Sequence, residues 1–217
     1  MLLQHLKRDL AQLYATPTNY DIYDFLITDA RLAAALTPSG ELQGNLERLL
    51  VAQAPQESRL SLYIDAEVLN TLERDDPTVA LHDGNLAAFL LALEGVSHLQ
   101  YLMWNADHDT PVSLLEMELQ AEVDKYITAA KYISAQHAGQ IPRELHCALF
   151  EAVKFADDLS AEALVRYQEA NYYAARYCHA LRQRFPGHHH QPSFVREVQT
   201  FYRLSQNEKI QHIRTNA

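Results

Sequence analysis

Glu94 and His98 stand one helical turn apart, with Ser97 beside them, in a segment (residues 86–104) that is otherwise apolar on nearly every side. Glu122 poses the same question further along. In residues 113–136, Leu115, Leu119, Tyr126 and Ile133 mark an apolar stripe. Glu122 falls about 20° from Leu115 when positions are turned by ~100° per residue, and Glu118 lies at the stripe's edge. A later helical stretch offers Glu169, Tyr172, Tyr173 and Arg176 on one side. An unpaired buried carboxylate is costly, so Glu94 and Glu122 need partners, and Arg176 and His98 are the best by type and placement. Gly95 adjoins the pair and would let another backbone approach closely.

Three chemistries fit this pattern. The first is a hydrogen-bonded network that fixes helix register. The second is a small-molecule or anion pocket built from Arg176, His98 and the tyrosines. The third is a metal site using Glu94, His98, Glu118 and Glu122. Helical bundles that hold carboxylate-bridged metal pairs use Glu-x-x-His, whose i, i+3 spacing aims both side chains inward. That spacing is absent here; only Glu94/His98 and Glu208/His212 pair at i, i+4. The candidate ligand-binding set is therefore Glu94, His98, Glu118, Glu122 and Arg176. No cofactor is assigned, and a divalent metal stands as the alternative.

The loops add less. The doublets His82-Asp83 and His108-Asp109 flank the apolar helix, and such doublets can hold a divalent ion that activates water. Asp83 reads more simply as a helix cap. His188, His189 and His190 follow Pro186-Gly187 and read as an exposed linker, although imidazoles suit transition metals. Cys147 and Cys178 form neither a disulfide framework nor a CxxC knuckle and fit a reducing compartment. No GxxxxGK, GxGxxG, GxSxG or HExxH motif is present, so the commonest catalytic routes leave no signature.

The elements that must position these residues change character along the chain. Leu2, Leu3, Leu6, Leu10 and Leu13 follow helical spacing, which predicts an amphipathic helix rather than a signal peptide. Alternating apolar residues predict short strands at 21–28, 46–53 and 59–65, the last two joined by a hairpin loop at 54–58. A helix over 66–74 follows. From residue 85 everything reads as helix: 86–104, then 113–136 with Ser113 and Glu116 as a capping box, 143–157, 161–184 capped by Ser160, 193–204 and 207–213. This predicts a mainly α protein, a bundle of four to five helices with a small N-terminal antiparallel β element. The parts are an α+β region at 1–80 and a bundle at 81–217, read as one continuous domain.

Composition agrees. Six glycines in 217 residues is below half the usual ~7 %, which disfavours folds built on tight turns and phosphate-cradling loops. The net charge of −10 makes nucleic acid a poor partner. No run of ~18 apolar residues exists, so no membrane partner is expected. From Tyr177 onward six basic residues face two acids, against twelve and twenty-six in the rest of the chain. An acidic body with a basic end suits either internal packing or contact with another protein. The sequence reading is accordingly a cytoplasmic helical protein acting through a protein partner or self-association, and not clearly an enzyme. Its alternative is a helical enzyme or small-ligand or metal-binding protein with a polar site in the bundle core.

Overall fold

The computed structural model describes residues 2–37, 46–54, 57–155, 159–186 and 191–216, with 52–54 and 57–58 described by their backbone alone. Helix α1 (Leu2–Tyr14) forms because Leu3, Leu6, Leu10 and Tyr14 recur at helical spacing and all are buried. A short 3-10 turn at Ile22–Asp24 leads to β1 (Leu26–Ile27), and α2 (Ala30–Leu36) begins where the Asp29 carboxylate accepts from the backbone of Arg31 and Leu32. Strands β2 (Glu47–Ala54) and β3 (Glu57–Ile64) form the expected antiparallel hairpin, but of the loop predicted at 54–58 the ladder takes Ala54, Glu57 and Ser58 into the strands, and 55–56 lie outside the described residues. Helix α3 (Ala66–Arg74), capped by Asp65, completes the N-terminal part.

The sheet order is β1-β3-β2, with β1 added in parallel to β3 through Leu26↔Leu62 and Ile27↔Tyr63. Register places Glu47, Leu49 and Val51 opposite Ile64, Leu62 and Leu60, so these six share one face. Leu62 and Ile64 join the main core on that face, while Leu50 and Tyr63 turn the other way to a small cluster with Ala33 of α2.

Helix α4 (Asp83–Ala106) is the central element, touching α1, α3, both hairpin strands and α5 (Leu114–Gln136). By length and composition α4 would suit a membrane span, but its apolar surface is covered by these neighbours. Helix α7 (Ala161–Arg184), capped by Ser160, packs along α5, and α6 (Glu144–Phe150) packs against both. Helices α8 (Pro192–Tyr202) and α9 (Gln206–Asn216) close the bundle against α1 and α7 respectively. The chain is thus mainly α with a minor sheet, and one hydrophobic cluster runs from Leu3 to Ile213.

Several local expectations need correction. The strand predicted over 21–28 shrinks to Leu26–Ile27, because the Asp21 side chain accepts from the Tyr23 backbone and starts a turn instead. The helix predicted over 143–157 ends at Phe150. There Cys147 O accepts from both Glu151 and Ala152, and Phe150 O is taken by Asn171 of α7. The cap of α4 is His82, whose Nδ1 accepts from Gly84 while Asn85 reaches back to the His82 backbone; Asp83 is already inside the helix. Ser113 does cap α5, but Glu116 does not complete a capping box. Its carboxylate is buried and instead accepts from the Tyr101 hydroxyl and the Gln206 backbone.

Candidate functional site: a buried carboxylate–histidine cluster

The two central helices and the hairpin meet at His98. Its Nδ1 lies 3.4 Å from Glu47 Oε1 on β2, and its Nε2 lies 3.3 Å from Glu118 Oε2 on α5. All three side chains are more than nine-tenths buried. Glu94, one turn before His98, accepts from Lys125 Nζ at 3.0 Å, and the same ammonium donates to Glu122 at 2.6 Å. From α7, Arg166 brings its Nε to 3.9 Å from Glu118 Oε1. The cluster thus gathers four carboxylates, one imidazole, one ammonium and one guanidinium from β2, α4, α5 and α7.

Sequence and fold explain the convergence locally. Glu47 occupies the sheet-face register of Leu49 and Val51, next to Ile64, so the pleat sends it towards α4 rather than to solvent. Gly95 makes room for it: a methyl there would lie 3.0 Å from Glu47 Cγ and Oε1 and 2.8 Å from Leu62 Cδ1. Glu118 and Glu122 are one turn apart on α5, and Lys125 follows Glu122 on the same flank.

Satisfaction is incomplete in an informative way. Among the described residues, five buried side-chain polar atoms have no hydrogen-bond partner, and three of them are Glu47 Oε1, His98 Nε2 and Arg166 Nε. The His98 contacts are within ion-pair distance yet not aligned as hydrogen bonds. One ligand atom each from Glu47, Glu94 and His98 lies within 4.8 Å of the others. The sides of such a triangle close on a first-row metal, held at roughly 2.0–2.2 Å, with small side-chain movements.

Electrostatics divides the carboxylates. Burial pushes the Glu47 carboxyl up, and the neighbouring imidazole only partly offsets this. Burial also works against the charged form of His98, yet Glu47 and Glu118 override it and hold the ring well above the usual histidine range. Burial pushes the Glu94 carboxyl up, but Lys125 and His98 together outweigh it and lower the pKa, whereas Glu122 is left raised by burial despite the same ammonium. Lys125 itself is held above the ordinary lysine value, since its two carboxylates overcome the cost of burial.

Of the residues singled out from sequence, Glu94, His98, Glu118 and Glu122 meet here. Arg176 does not: it donates to the Tyr172 hydroxyl on the more exposed side of α7, and Arg166 is the arginine at the cluster. Glu47, Lys125 and Arg166 escaped the sequence reading. Glu47 had a signal, a carboxylate alternating in phase with Leu49 and Val51.

A second polar network lies close by but is fully partnered. Buried Asp124 accepts from Tyr14, Ser97 and Gln120, and Gln120 in turn accepts from Lys209 of α9. Lys209 also donates to the backbone of Phe201 and Tyr202, which completes its three donors. This network has the marks of a structural strut. The His-Asp doublets are likewise occupied locally, His82 with Asp75 and His108 with the Trp104 carbonyl, and 188–190 lie outside the described residues. Comparison with known proteins gives no match: no family model fits the chain, and no curated protein or solved structure is similar to it.

Proposed function

We propose that the protein binds a divalent transition-metal ion at Glu47, Glu94 and His98, with Glu118 and Glu122 as the adjoining carboxylates. The observation that carries this reading is the orphaned Glu47 Oε1, on a side chain more than nine-tenths buried and 3.4 Å from His98 Nδ1, inside the Glu47, Glu94 and His98 triangle. A purely structural network would be expected to satisfy its members, as the Asp124 network does, because a half-satisfied buried cluster is costly. Two carboxylates and one imidazole suit iron, manganese or zinc better than calcium or magnesium. Glu118, beside the second ring nitrogen, is placed to orient the imidazole, as carboxylates do behind metal-bound histidines. A reducing, cytosolic setting belongs to this proposal and accords with the free thiols of Cys147 and Cys178.

The test is elemental analysis of tag-free protein purified without chelator, repeated after loading with Mn(II), Fe(II) or Zn(II). The expected result is retained metal in the wild type and its loss in Glu47→Gln and His98→Ala variants whose circular dichroism is unchanged. A wild type that retains none of the three ions after loading would sink the reading.

Action through self-association is a second proposal, and one observation favours it. β2 is an edge strand with no strand beyond it among the described residues, and Val51 near its midpoint is half exposed. Such an edge is a template for pairing with a second copy.

A further inference from the structure

We infer that this is a one-metal centre in which the Lys125 ammonium occupies the position a second metal ion would take; the inference rests on the metal reading above and specifies it. Glu94 is common to two sub-sites. One of its oxygens belongs to the triangle with Glu47 and His98, and its Oε2 accepts from Lys125 at 3.0 Å. On the far side of the same ammonium lies Glu122 Oε1 at 2.6 Å. A carboxylate shared between two neighbouring cation positions is the arrangement by which two-metal sites hold ions ~3.5–4 Å apart. Here a side chain from the same helix as Glu122 fills one of the two positions.

Charge arithmetic supports the same stoichiometry. Glu47, Glu94, Glu118 and Glu122 supply four negative charges, and Lys125 and Arg166 return two. With His98 neutral, as a metal ligand must be, one divalent ion brings the cluster to zero. A second divalent ion beside a retained Lys125 would leave two uncompensated positive charges in a buried site, which burial strongly disfavours. Geometry and charge therefore agree that the lysine and a second metal exclude each other. A further consequence is fixed polarity: the ion sits on the Glu47–His98 side, against β2, and the ammonium on the Glu122 side.

The experiment is a Mn(II) titration of wild-type protein and of Lys125→Met, counting bound metal and recording the electron paramagnetic resonance spectrum of the loaded samples. The wild type is expected to saturate at about one equivalent with the hyperfine pattern of isolated ions, and Lys125→Met at about two with the spectrum of an exchange-coupled pair. Two equivalents in the wild type would overturn the one-metal assignment while leaving the metal reading intact. No bound metal in the wild type would overturn both. A folded Lys125→Met protein that still holds one ion, or none, would show that the lysine does not stand in for a metal. Should that variant fail to fold, Lys125→Gln, which removes the charge but keeps a hydrogen-bond donor to the two carboxylates, is titrated in its place, with the same two equivalents expected and one or none overturning the lysine assignment.

Discussion

A methyl group at position 95 would meet Leu62 Cδ1 at 2.8 Å and Glu47 at 3.0 Å, closer than ordinary van der Waals contact. Leu62 is fully buried and cannot swing clear, so the strain falls on the β2–α4 contact that delivers Glu47. Gly95→Ala is expected to lower stability by about 1–3 kcal/mol despite alanine's better helix propensity, and to weaken metal retention as well. Urea denaturation measures the first and metal titration the second; a variant at least as stable as the wild type would contradict the close approach. At this scale the legibility of the site followed one rule. Glu94, His98, Glu118 and Glu122 were readable because each is polar where helical periodicity calls for an apolar side chain. Arg166 was not, because Arg176 lies about 80° round the same helix at ~100° per residue, and α7 offers too weak a stripe to choose between them. Lys125 was hidden for a different reason: a lysine on a helix flank reads as solvated until its carboxylate partners are known to be buried.

Elements are tied to one another by polar struts as much as by apolar faces. Lys209 is the clearest case: it is completely buried, joins α9 to α5 through Gln120, and lies over the Phe201 ring. Burial pulls its pKa down to about 7, with Glu116 and Asp124 only partly restoring it. Because the unfolded chain keeps this proton to near the ordinary value of 10.5, the unfolded state binds more protons between those limits. Stability contributed through Lys209 must therefore rise with pH from about 7 towards 10, the reverse of a paired lysine. The stability difference between wild type and Lys209→Met, followed by denaturation at several pH values, is expected to grow in the wild type's favour across that window. A flat difference would mean that the ammonium is not desolvated. The helices themselves were legible from spacing and caps, and Ser113 and Ser160 stand where the sequence placed them. What periodicity could not supply was termination by tertiary contact, as where Asn171 claims the Phe150 carbonyl and ends α6.

On the scale of the whole molecule, the uneven charge along the chain resolves largely into internal contacts. Arg203 donates to the Tyr14 carbonyl of α1, Arg214 to the Tyr173 hydroxyl and buried Lys209 to Gln120 of α5, while Arg184 pairs with Glu197 inside the basic end itself. The basic end thus folds back on the body, one of the two arrangements its composition allowed. Among the described residues, the outer edge of β2 is one surface that a second copy could meet. If β2 pairs with its own copy across a two-fold axis, Val51 comes close to its counterpart. Val51→Lys is then expected to shift sedimentation to the monomer by setting like charges face to face. Identical sedimentation of variant and wild type over a wide concentration range would argue against pairing through this edge. The helical architecture and the hairpin were readable from the sequence. The order of strands was not, since no local pattern says that two residues of β1 will join β3 in parallel.

β2 has two occupations, for the strand that lies at the edge of the sheet among the described residues also carries Glu47 inward to His98. Its backbone cannot shift for one without disturbing the other. Under the metal and pairing proposals, any pairing that draws β2 away from α4 or presses it closer would change the affinity for the ion. Reciprocity then requires the ion to change the strength of pairing by the same factor. Eight residues of one strand would in this way make assembly and metal occupancy two readings of a single equilibrium.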